Sequence, residues 1–140
     1  MSFQIVVWIL TALAAVVIVL TRLRLRADGA AGQFSISRRL PTVHFVAGVV
    51  ALVLWIGVLV SPEDTFLGGP LFGILAVACW WVVAICGLLV LARWLPSRGR
   101  HVPAATGDGW SDGPGLSLLA HLGMVAAVLV FTYAYLTAAV

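Results

Sequence analysis

Four long apolar runs, roughly 3–21, 41–60, 67–93 and 116–139, carry no charged residue in their interiors. At about 1.5 Å per residue each can cross about 30 Å of hydrocarbon as a helix. Backbone N–H and C=O groups find no water in lipid, so a spanning segment must be a helix or a strand of a closed barrel. Runs of this length without two-residue alternation indicate helices. The fold class expected is therefore all-α: an integral membrane bundle of four transmembrane helices forming one domain, 1–140. Composition agrees, with 63% apolar and only 9% charged residues, where a soluble domain carries about a quarter charged. Met1–Ile5 has no basic residue and no clean cleavage site precedes the arginines, so the first run reads as a retained helix, not a signal peptide.

The basic residues are all arginines: Arg22, Arg24, Arg26, Arg38, Arg39, Arg93, Arg98 and Arg100. All fall in 22–40, at the end of the third run or in 94–115, segments that four spans place on one side. The opposite side holds Glu63 and Asp64 in SPEDTFLGGP and no basic residue. The positive-inside rule then puts both termini outside and both long loops in the cytoplasm of a multi-pass protein in the cell's inner (plasma) membrane. The net charge of +3 follows from this topogenic role. It implies contact with anionic lipid headgroups at the arginine-rich inner face and calls for no nucleic-acid partner.

Small residues mark where helices can approach, since lipid supplies no hydrophobic drive for helix association. Gly123 and Ala127 in the fourth run, and Ala47, Gly48 and Ala51 in the second, are the candidate packing or partner face. Cys79 and Cys86 lie two turns apart on one helix face, about 10 Å along the axis, which excludes a disulfide between them. Trp80 and Trp81 fall at the middle of the third run, where an indole N–H needs a partner. The expectation there is one packing residue and one facing lipid. Thr11, Ser117, Thr132 and Thr137 can bond back to their own helices. Glu63 and Asp64 read as a solvated tip. No catalytic constellation and no metal cluster is apparent, and the chain is not expected to be an enzyme.

His44 in TVHFVAG and His121 in LLAHLGM each stand alone in an apolar run. Measured from Pro41 and Leu116, they lie about 5 Å and about 8 Å deep, at nearly the same level. The plain reading is two interfacial histidines satisfied by headgroups, water or a carbonyl. The chemical reading is a pair of axial ligands to a b-type haem, which needs two neutral imidazoles from different helices. Ala47, Gly48, Ala120 and Gly123 would leave room for the macrocycle, and Arg38 and Arg39 are placed for its propionates. Met124, three residues beyond His121, reads as packing.

The H-x₃-G at His44 and the H-x-G at His121 resemble small b-type membrane cytochromes that carry their ligands on a four-helix bundle. His44 followed by Trp55-Ile56-Gly57 resembles, with a gap about one turn longer, copper-resistance D-type membrane proteins. As a type, the chain also resembles the small four-helix accessory membrane subunits of bacterial respiratory complexes. Its arginine-only basic set and Ala/Val/Gly-rich helices look actinobacterial. This last likeness implies a non-catalytic accessory subunit of the respiratory chain, with other integral membrane subunits as partners and no cofactor. It is the leading expectation. The alternative is a b-type cytochrome with haem b on His44 and His121, and a small transporter is third.

Overall fold

The computed structural model describes residues 2–27, 39–94 and 114–139. They form α1 (Phe3–Ala27), α2 (Arg39–Val60), α3 (Pro70–Trp94) and α4 (Pro114–Leu136), with no strand among the described residues. Each helix contains a segment long and apolar enough to span a membrane.

Three boundaries differ from the sequence expectation by three residues or more, each for a local reason. α1 runs on to Ala27 because leucine and arginine are good helix formers and no breaker precedes Asp28 and Gly29. α3 begins at Pro70 because the preceding residues are spent on a turn. Thr65 Oγ1 donates to the Pro62 carbonyl at 2.6 Å and accepts the Gly68 N–H at 3.2 Å. A Cβ at Gly68 would run into that same Pro62 carbonyl, so only glycine closes the turn. Pro70 then occupies the first helical position, where its missing N–H is not needed. α4 stops at Leu136, before 139. Ala138 takes a left-handed conformation (φ 49°), the Ala139 N–H reaches the Ala134 carbonyl at 2.9 Å, and the Ala138 N–H reaches the Tyr135 carbonyl at 3.2 Å. This is the Schellman pattern that satisfies the last carbonyls of a helix.

The helices close a ring in which α1 touches α2 and α4, and α3 touches α2 and α4. Among the described residues α1 and α3 are diagonal, as are α2 and α4. One end of the bundle carries the α2–α3 turn, and at the other α1 and α3 finish and α2 and α4 begin; we call them the turn end and the loop end. Around the middle, Trp55 of α2, Trp80 of α3 and Phe131 of α4 are fully buried. The Phe131 ring centroid lies 4.9 Å from Trp55 and 5.4 Å from Trp80. Ala51, Ala76, Ala127 and Ala134, all buried, make room for these three rings, so small residues set the helix spacing and aromatic rings fill it.

α1 is tied to this core by its first half. Val7, Thr11 and Ala14 are buried. Thr11 Oγ1 donates to the Val7 carbonyl at 2.8 Å and accepts the Trp55 indole N–H at 3.1 Å. Beyond Ala14 no described residue of α1 is buried. Elsewhere the outer surface is apolar, as with Leu13, Val53, Leu71 and Leu119, which is the arrangement expected where lipid is the solvent.

Candidate functional site

His44 lies early in α2 and His121 early in α4, so both belong to the loop end. Being on diagonal helices, they project toward each other across the bundle. Their ring centroids are 6.2 Å apart and the ring planes differ by only 20°. Offset-stacked aromatic rings have centroids about 4.5–7 Å apart, and the pair falls within that range.

α3 supplies the floor between them. A Cβ built on Gly87 would stand 2.8 Å from His121 Cδ2, 3.4 Å from His121 Nε2 and 3.3 Å from His44 Cε1. The far edges of both rings therefore converge on this one residue, and its lack of a side chain allows it. His44 Nδ1 is buried with no partner, an expensive state for a polar atom unless a ligand relieves it.

The space around the pair is narrow. Its cavity volume is about 40 Å³. Gly48, Ala84, Gly87 and Ala120 line it beside the histidines, with Met124 at its inner wall and Val17, Ile18 and Phe45 at its α1–α2 side.

The residues singled out in the sequence divide clearly. His44 and His121 are brought together. Gly48 is buried, and a Cβ there would meet Ile18 at 3.4 Å. Ala51 and Ala127 are buried and Ala47 is half-buried, so these three pack within this bundle. Gly123 is exposed, and a Cβ there would meet nothing within 4 Å. Arg38 lies outside the described residues, and of Arg39 only the backbone is described. Cys79 and Cys86 are free and half-buried, and Glu63 and Asp64 are exposed. Among the described residues no group of three His, Cys, Asp or Glu side chains could hold a metal ion.

Trp80 is the packing residue. Trp81 does not simply face lipid: it is half-buried and donates its indole N–H to Thr132 Oγ1 at 3.1 Å, while that hydroxyl donates to the Val128 carbonyl at 2.7 Å. The Trp80 indole N–H is buried with no partner. Sequence reading missed Gly87 as a site residue. It is one of fourteen glycines, and only the helix ring shows which of them lies under the histidines.

Comparison with known protein families, curated proteins and solved structures finds no match for this chain.

Proposed function

We propose that this protein is a b-type membrane cytochrome in which His44 and His121 would be the residues that hold the haem. The single observation that carries the reading is the pair of near-parallel imidazoles, 6.2 Å apart, presented to each other by diagonal helices. Small residues stand beside the two rings: Gly87 directly under their edges, with Gly48, Ala84 and Ala120 along the same cavity. Haem bound there would supply one-electron redox chemistry near one membrane surface. The protein's own part is to hold the two imidazoles neutral and aligned and to exclude water with an apolar wall.

On the arginine distribution the loop end faces the cytoplasm of a bacterial inner membrane, so electrons would be exchanged near that face. A place beside other integral membrane subunits of a respiratory complex is the second reading. The observation in its favour is the open notch at Gly123, exposed on α4.

The test is a dithionite-reduced minus oxidised absorption spectrum of the protein purified in mild detergent from haem-sufficient cells. Wild type should show a Soret shift and a sharp α band. His44→Ala and His121→Ala should each lose them. A flat wild-type spectrum overturns the cytochrome reading, and haem retained in both variants overturns the ligand assignment.

A further inference from the structure

α1 is held to the bundle by its first half and stands off it in its second. The Trp55–Thr11–Val7 hydrogen bonds fix the first half, whereas Val16, Val19, Leu20 and Leu23 are 52–58% exposed. Between the second half and α2 lies a groove of about 280 Å³ that opens outward. Its α1 wall runs from Ala15 to Leu23, its α2 wall from Leu52 back to Phe45, and every residue lining it is apolar. At the helical rise these walls are about 12 Å and about 10 Å long, so the groove extends along the helix axes. Charge is concentrated at one end of it. Thr11 meets Trp55 and Ile18 sits on Gly48, so seven positions along α1 answer to seven positions back along α2. Continuing that register sets Arg22, Arg24 and Arg26 of α1, and Arg39 of α2, within about two helical turns of the Leu23–Phe45 end. Asp28 is the one acidic residue in 22–40. α1 meets α4 no more closely than it meets α2, so packing alone does not distinguish the two seams. Charge does: α4 contains no arginine or lysine, and the chain before it carries Asp108 and Asp112.

We infer that the α1–α2 groove is the seat of one anionic diacyl phospholipid, with an acyl chain between the two helices and the phosphate at the arginine end. The inference needs no haem and stands apart from the cytochrome reading. Basic residues beside a membrane surface attract anionic headgroups. The apolar walls accept the chain where a tighter helix pair would have packed side chains against each other. Neither feature selects a lipid by itself, since any apolar face accepts hydrocarbon and any basic segment attracts phosphate. Their coincidence on one seam does, because chain and headgroup of the same molecule are then held together.

The test uses the full-length chain, delipidated in mild detergent and titrated with phosphatidylglycerol or with phosphatidylcholine carrying the same acyl chains. Bound lipid is counted by native mass spectrometry. One phosphatidylglycerol should bind at least about tenfold more tightly than phosphatidylcholine, and Arg24→Gln with Arg26→Gln should weaken it about fivefold for each charge removed. Val49→Trp and Val19→Trp fill the groove from opposite walls and should each abolish the preferred site. Leu122→Trp, at an exposed position of α4, should leave it intact. Glycerol phosphate, which has the charge without the chains, should not compete. The arginine variants test the inference without altering the groove. Equal binding of the two lipids, or no effect of the arginine changes, overturns the headgroup site. Phosphatidylglycerol binding unchanged in both groove-filled variants, or displaced by glycerol phosphate, overturns the acyl-chain seat.

Discussion

Gly87→Ala separates the needs of the fold from those of the site. The added methyl carbon would lie 2.8 Å from His121 Cδ2 and 3.3 Å from His44 Cε1. An ordinary contact needs about 3.4 Å or more, so the His121 ring must retreat by about 0.6 Å. For the fold that is inexpensive, because the obstacle is the free end of a side chain. Overpacking of about 1–3 kcal/mol at worst is offset by about 1 kcal/mol of helix preference for Ala over Gly. Stability of the haem-free protein should therefore change by no more than about 2 kcal/mol. For the site the same shift is severe, since metal–ligand distances tolerate only about 0.2 Å. Haem affinity should fall by about 10–100-fold, the range seen when the support of a metal ligand is disturbed. Haem titration at the Soret band and thermal unfolding of the apoprotein in the same detergent measure the two effects independently. Unchanged haem affinity with an unchanged spectrum would refute the idea that Gly87 sets the approach to the two imidazoles. A variant that unfolds without haem would refute the claim that only flexible ring edges oppose the methyl group.

Two further predictions concern the frame and the surface. Thr11→Val keeps the side-chain shape but strands the buried Trp55 N–H; it should lower unfolding stability in detergent by about 1–2 kcal/mol, and no loss would show that this bond does not pin α1. Gly123→Leu fills a position that meets nothing within the bundle, so the purified protein should keep its haem spectrum and its stability. In native membranes, co-purification with other subunits should fall if the notch is a contact, and unchanged association would remove that face from consideration.

The site was partly legible in the sequence. His44 and His121 stood out because an ionisable residue is conspicuous in an apolar run, and a helical rise of about 1.5 Å per residue is enough to place them at one depth. Their being opposite each other was not legible. Depth is a property of each helix alone, whereas opposition depends on the order of helices around the ring. Gly87 was hidden for the same reason: nothing in VAICGLLV distinguishes a glycine under two histidines from one facing lipid. The small residues show the converse. Gly123 and Ala127 share small-xxx-small spacing, yet one is exposed and the other buried, since residues four apart differ by about 40° around the helix and the edge of a contact can fall between them. The tryptophans were legible as a need but not as a solution. An indole N–H in hydrocarbon requires an acceptor, but which hydroxyl supplies it, Thr11 for Trp55 and Thr132 for Trp81, is decided by packing.

The sequence by itself determined the solvent of this protein and the number of its spans. Hydrophobic length and the obligation to satisfy backbone hydrogen bonds in lipid act on each segment independently, so they can be read one segment at a time. It also determined the sharp turn between α2 and α3, where Thr65, Gly68 and Pro70 each act on their immediate neighbours. Only the tertiary structure decided that α2 and α4 are diagonal, that two histidines 77 positions apart in the chain face each other at 6.2 Å, and that α1 stands open beside them. Those features arise from side chains of different helices competing for the same interior volume, and an apolar run that looks alike on all its faces does not state the outcome.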